Sequence, residues 1–421
     1  MNKSTCLDSR DIDLLRRLAE RVAAAAESAA NRERRDAWYA LDAGRNDRPM
    51  VLAEVGGVME EVLPESMLQC RDPYARNLER WLRVEIYQFE ELQDDHVIEP
   101  YANVNWKVTC SGYGVAPVQH RPDNDGRLGA RRWDPPIRDL DRDFSMLRTQ
   151  TFSVDREATL AEKDRLEHIF AGILKTRIRG QFWWTRGMTI TAIDFIGLEP
   201  LMMAMFDNPA GLHRLMAFLR DDHIAFARWL EQENLLSLNN ENDYIGSGSM
   251  GYTRDLPKSR PGAGRRVMLD DLWLLLESQE TVGVGPDQFE EFIFPYQRDI
   301  GLLFGKIYYG CCEPVHTRLH VLEKLPNLAR ISVSPWADEE FISRRIGRRY
   351  VYSRKPNPSL ISTERFDEAL IRADLRRTLD VARGCRLEII MKDVHTLNRQ
   401  RDRLARWVRI AREEIEKSAG W

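Results

Sequence analysis

From residue 49 onward the chain alternates. Short apolar runs bounded by turn residues are each followed by a longer segment with apolar residues at helical spacing. No other feature constrains the fold as strongly, because repeated strand–helix units pair their strands in parallel and bury them on both faces. The runs predict strands at 50–55, 97–109, 181–185, 235–239, 273–277, 306–309, 329–334, 349–353 and 387–391. Helical spacing predicts helices at 73–93, 156–177, 286–304, 316–325, 337–346, 363–383 and 397–417, and a pair over 189–233 hinged at Asp207-Asn208-Pro209. Ahead of the alternation, 10–43 reads as a helix with Leu14, Leu15, Leu18, Val22 and Ala25 on one face. The polar stretches 111–136 and 246–266, rich in Gly and Pro, read as loops, the first as an excursion or lid.

Eight strand–helix units close naturally into a (β/α)8 TIM barrel. The expected organisation is therefore an N-terminal helical extension, 1–47, followed by one α/β barrel domain, 48–421. An open doubly wound sheet is the rival. Neither GxGxxG nor GxxxxGK[ST] follows the first strand, which disfavours the usual nucleotide-binding forms.

Composition narrows the function classes. Lys+Arg number 62 against 66 Asp+Glu, a net charge of −4, so the whole chain carries no footprint for nucleic acid or an anionic membrane. No apolar run nears the ~20 residues of a bilayer span, and the N-terminus lacks the apolar stretch of a signal peptide. Six cysteines in 421 residues suit reduced thiols, and a cytoplasmic location is the expectation.

In a barrel the chemistry gathers at the C-terminal strand ends. Those positions hold Glu54 after the first strand, Asn105 and Trp106 on the second, Asn239 and Asn242 at the fourth, and Glu277 after the fifth. Tyr309, Cys311, Cys312 and Glu313 follow the sixth, and Lys355 the eighth, with Trp184 of the Trp183-Trp184 pair as a pocket wall. Polar residues follow strands in any protein, but Glu54 and Glu277 each end a wholly apolar run. Adjacent thiols beside a glutamate suit zinc, and two packed thiols at a strand end are the plainer alternative. Alternation would turn Cys311 toward the mouth and Cys312 toward the wall, unless the chain turns at Gly310. His316 and His320 stand at metal-compatible helical spacing, with surface and packing as the ordinary reading.

The order of elements resembles the uroporphyrinogen decarboxylase superfamily. So do Arg48-Pro49 before the first strand, Trp133-Asp134-Pro135-Pro136-Ile137, Trp184-Thr185 before a helix, and the strand end Tyr309-Gly310-Cys311-Cys312-Glu313-Pro314. The resemblance runs from about residue 48 to the C-terminus. It implies a barrel and one of two activities: tetrapyrrole decarboxylation, or zinc-dependent methyl transfer involving corrinoid proteins. The decarboxylases carry an arginine motif after the first strand; Glu54-Val55-Gly56-Gly57-Val58 stands there instead, which turns the expectation toward methyl transfer. The methyltransferases use His-x-Cys at the sixth strand and a cysteine at the last. Cys311 matches, Tyr309 stands in place of the histidine, and Cys385 precedes its strand.

The expected function is thus movement of a methyl group between a small methylated substrate and a corrinoid protein or a pterin such as tetrahydrofolate. Zinc would sit on Cys311 with Cys312, Glu313 or another glutamate. Glu54, Glu277 and Tyr309 are the expected catalytic groups; Asn105, Trp106, Asn239, Asn242, Trp184 and Lys355 are the expected substrate contacts. The alternatives are a metal-free lyase or decarboxylase of a small acid, with carboxylates as acid and base, and a non-catalytic binding protein. A corrinoid protein and a second copy of the chain are the expected partners; nucleic acid and membrane are not.

Overall fold

The structure is a computed structural model that describes residues 7–120, 132–258 and 265–418. Cys6 and parts of the two long polar stretches lie outside the described residues. The chain is mixed α/β, and its strands pair largely in parallel. It divides into two compact units: Met1–Trp106 with Asp155–Arg179 and Lys355–Trp421, and Lys107–Val154 with Gly180–Arg354.

The parallel strands are β1 (Met50–Ala53), β2 (Tyr101–Asn105), β3 (Lys175–Arg179), β4 (Trp273–Leu276), β5 (Lys306–Tyr309), β6 (Leu328–Val333), β7 (Val351–Arg354) and β8 (Arg386–Met391). In the first unit β1 pairs with β8, Met50 opposite Glu388, and β2 pairs with β3, Tyr101 opposite Lys175. In the second unit β4, β5, β6 and β7 pair in sequence order. The strands β1 and β4 are buried at every position, as their apolar sequences require of a sheet covered on both faces, and β7 is buried throughout although it carries Ser353 and Arg354.

The first unit is built around α1 (Ser9–Glu27), α2 (Ala29–Asp42), α3 (Pro73–Tyr87) and α4 (Arg156–Ile169). Leu15, Leu18, Ala19 and Val22 of α1 bury their stripe in one core with Leu82, Ile86, Ile98 and Phe170. The N-terminal helix breaks at Ser28, whose backbone turns extended (φ −64°, ψ 154°) and whose hydroxyl accepts from Asn31 N, capping α2. One edge of β1 is closed by carboxylates. Asp95 Oδ2 accepts from Val51 N at 2.7 Å and Asp94 Oδ2 from Ala53 N at 2.9 Å. Arg48 ion-pairs with the same Asp95 at 2.8 Å, which explains an arginine just before this strand.

Several elements differ from the sequence reading. The segment 156–177 is helical only to Ile169; Gly172 (φ +78°) follows, and Lys175–Arg179 is strand β3. Cations alternate with β-branched residues in Lys-Thr-Arg-Ile-Arg, a period-2 pattern that period-3.6 reading absorbs into the helix. Residues 181–185 and 235–239 are not strands; they run as irregular chain, tied together where Gly180 N donates to Ser237 Oγ at 2.7 Å. The segment 189–233 forms three helices, not two, because Gly197 (φ +92°) breaks the first of them. No single helix among the described residues is long and apolar enough to cross a membrane. The neighbours Thr189–Ile196 and Leu198–Asp207 reach that length together but bend by 91°.

Candidate active site

Two buried carboxyl clusters stand at strand ends, one in each unit. In the second unit the apolar run of β4 drives Glu277 into the interior with no exposed surface. Its Oε2 accepts from Gln279 N at 3.0 Å, while Oε1 is buried without a hydrogen-bond partner. Burial raises its pKa well above the usual carboxyl range, and the acidic neighbours Glu280, Glu313 and Cys311 push it further. Burial and the acidic neighbours thus favour the protonated form of Glu277, which carries a proton to give.

Glu313 belongs to the same cluster but is spent on the backbone. Its Oε1 accepts from Ser278 N at 2.9 Å and its Oε2 from Cys311 N at 2.8 Å. Burial raises its pKa, and those donors together with Arg318 oppose the rise. Arg318 is itself buried, donating to Thr281 Oγ1 at 3.0 Å and to the carbonyls of Thr281 and Val284.

Tyr309 points into this cluster, yet its hydroxyl is committed. It donates to Gln297 Oε1 at 2.8 Å, and Gln297 Nε2 donates in turn to the carbonyls of Gly187 and Glu277, both at 2.8 Å. Tyr309 thus holds Gln297, and Gln297 clamps the end of β4 to the segment 185–187. Gln297 escaped the sequence reading, although its place gave a signal. It lies four residues after Ile293 and three before Ile300, on the apolar stripe of its helix.

The thiols reverse the sequence expectation. Gly310 takes a left-handed turn (φ +99°), after which Cys311 is buried and Cys312 is exposed, their sulfurs 3.6 Å apart. A Cβ at Gly310 would meet Val315 and Ser332 at 3.0 and 3.1 Å, so the turn demands glycine. The zinc set Cys311, Cys312 and Glu313 does not fit this geometry. Two sulfurs at this spacing suit one ion, but both Glu313 oxygens accept from backbone, and no group of three or more His, Cys, Asp or Glu among the described residues could hold a metal. His316 accepts from Asp338 N through Nδ1 at 3.1 Å.

Among the remaining expected substrate contacts of this unit, Asn239 is corrected by position. Its side chain accepts from Trp273 N and donates to Trp273 O, clamping the first residue of β4 at the end opposite Glu277. Trp184 is exposed, with its indole N–H 3.4 Å from the Tyr244 hydroxyl. The Asn242 side-chain oxygen is buried without a partner.

In the first unit Glu54 follows β1, half-buried, its N–H on Met391 O at 2.9 Å. Burial raises its pKa; Lys392, Lys355 and His96 pull it back, and Asp393 adds to the rise. The His96 ring meets Asp94 Oδ2 at 3.0 Å. Burial works against charge on His96, but Asp94, Glu85 and Glu54 outweigh it and raise its pKa. Glu85, pushed up to about 7 by burial, shares that histidine with Glu54. The structure thus brings Lys355 to Glu54. Asn105 is exposed on β2, and Trp106 carries the Arg156 guanidinium at 5.3 Å from its ring. A surface hollow of about 400 Å³ bounded by Asp338, Glu340, Phe341, Arg344 and Arg345 holds no buried acid.

No family model matches the chain, and no curated protein matches it. It is similar to the solved structure of a methyltransferase from Methanosarcina mazei, with a TM-score of 0.48 and 11% sequence identity, over 90% of this chain and 98% of that one.

Proposed function

We propose that the chain is an enzyme, a methyltransferase on a (β/α)8 barrel, in which Glu277 is the general acid. The observation that carries the acid is its buried carboxyl with an unpartnered oxygen at the C-terminal end of β4. Methyl transfer is the reaction implied by the resemblance in sequence. Removing methyl from an oxygen, nitrogen or sulfur leaves an electron pair on that atom, which makes a poor leaving group unless it is protonated. The methyl–heteroatom bond breaks, the methyl passes to a nucleophilic acceptor, and the heteroatom takes its pair and the Glu277 proton. A proton donor of this kind contributes roughly 10²–10⁴-fold. The acceptor is a co-substrate, a corrinoid protein or a pterin, and no zinc ion enters the step. Tyr309, Gln297 and Gly187 position the acid, and the dry surroundings keep its proton from solvent.

The second reading, a lyase of a small carboxylic acid, is favoured by Lys392 and Lys355 beside Glu54, two cations suited to a carboxylate. One experiment separates the two. The full chain is incubated with reduced cobalamin and a panel of small methyl ethers, methylamines and methyl thioethers, and demethylated product is followed by mass spectrometry. The expected result is product from the wild type and a loss of at least about 100-fold in Glu277→Gln. Equal turnover by Glu277→Gln overturns the acid; release of CO₂ from small acids without demethylation overturns methyl transfer.

A further inference from the structure

The second unit contains a guanidinium that makes no hydrogen bond or ion pair with the described residues. Arg186 lies on the segment that covers Glu277. Its N–H donates to Leu275 O at 3.1 Å, and the next residue, Gly187, packs so closely that a Cβ there would stand 2.1 Å from Glu277 O and 2.9 Å from Glu277 Oε1. The following residue, Met188, holds a left-handed backbone (φ +68°) that a non-glycine residue adopts at a cost of about 1 kcal/mol or more.

The Arg186 guanidinium sits 4.6 Å from the Trp183 ring centroid and 4.7 Å from that of Phe226. Those contacts use its flat faces. Its terminal N–H donors lie in the plane and suit a planar, two-oxygen partner. No hydrogen bond or ion pair reaches them from the described residues, and Nε is fully buried without a partner. The nearby carboxylate, Asp222, is spent elsewhere: its oxygens accept from Gln150 N at 3.0 Å and Gln150 Nε2 at 2.7 Å. Burial lowers the Arg186 pKa to about 10, still charged at neutral pH. One residue beyond Asp222, His223 is buried with Nδ1 unpartnered; burial and the Arg186 charge keep it neutral. A half-buried cation with its Nε sealed from solvent and no ion pair is costly to a fold that makes no use of it.

We propose that Arg186 is the anchor for a carboxylate on the substrate, with Trp183 and Phe226 as its aromatic platform and His223 as a neutral neighbour. A single guanidinium matches a monoanion, and the Asp222 carboxylate nearby disfavours a phosphate dianion. The aromatic walls, continued by Phe182, Phe152 and Trp229, suit an apolar or aromatic body on that acid. This deepens the methyltransferase reading, on which it rests only for the identity of the ligand as substrate.

The test is calorimetric titration of the full chain with benzoate, its neutral isostere benzamide, and inorganic phosphate. Benzoate should bind at least 10-fold more tightly than benzamide, and phosphate should not compete. Arg186→Met should lose at least 10-fold in benzoate affinity while melting no lower than wild type, because it removes a half-buried charge that has no ion pair. Should Arg186→Met fail to fold, Arg186→Lys carries the test, since it keeps the charge and loses the planar fork. Equal binding of benzoate and benzamide, tighter binding of phosphate, or unchanged benzoate affinity in the folded Arg186 variant overturns the proposal. Glu277→Gln should bind benzoate as wild type does. If that variant also keeps full turnover, the general-acid reading falls while the carboxylate anchor stands.

Discussion

Glu54 and Glu277 occupy equivalent places in two different units. Each follows a wholly buried apolar strand, and burial raises the pKa of both. Their neighbours set them apart. Around Glu54 stand Lys392, Lys355 and His96, which oppose the rise; around Glu277 stand only groups that add to it, apart from one backbone N–H. A strand end supplies the desolvation in both cases, and the local charge decides whether the carboxyl stays an acid or moves toward a carboxylate paired with cations. The first arrangement suits holding a charged ligand, the second suits giving up a proton.

The largest effect is expected where backbone meets backbone. Gly187→Ala places a methyl 2.1 Å from the Glu277 carbonyl, and should cost about 3 kcal/mol in denaturant unfolding and displace the acid. Gly56, beside Glu54, has nothing within 4 Å of its would-be Cβ, so Gly56→Ala should change stability by no more than about 0.5 kcal/mol. Comparable losses in the two variants would mean that the covering segment is not locked onto Glu277.

The pH dependence comes next. A carboxyl whose pKa is raised in the folded state binds its proton there more tightly than in the unfolded chain. Its stabilising contribution is whole below the unfolded value, near 4.5, and is lost as pH rises through the folded value. Wild type should therefore lose up to about 1.4 kcal/mol per pH unit relative to Glu277→Gln above pH 4.5. Unfolding curves of both proteins between pH 5 and pH 9 measure it, and a pH-independent difference would show Glu277 ionised. Glu85 in the first unit adds a slope of the same sign, ending near its value of about 7.

The cations of the first unit can be removed singly. His96→Ala takes away a positive neighbour shared by Glu54 and Glu85, so both carboxyls should titrate higher, Glu85 above about 7. Carbon-13 NMR of the carboxyl groups reads this directly, and unmoved titrations would remove His96 from the compensation. The smallest effect is expected at the thiols. Cys311→Ser should lower stability by ~1 kcal/mol and leave turnover per folded molecule intact, as a packed thiol does. Loss of turnover with stability kept would return Cys311 to the chemistry.

Much of this was legible in the chain. The alternation predicted parallel strands, and the apolar runs of β1 and β4 announced burial at every position because a strand covered on both faces has no wet side to mark. The carboxylates ending two of those runs stood out for the same reason. What sequence could not convey was which polar groups meet. Asn239 follows an apolar segment as Glu277 does, yet it clamps the opposite end of β4. Tyr309 and Glu313 sit at a strand end, but their hydrogen bonds go to Gln297 and to backbone. Arg186 reads as one more arginine among many; only packing against Trp183 and Phe226, with Asp222 occupied by Gln150, leaves its donors open. Periodicity records which side of an element is dry, a property of neighbouring residues in the chain. Charge compensation and hydrogen-bond satisfaction depend on partners tens of residues away, so the tertiary structure alone decides them.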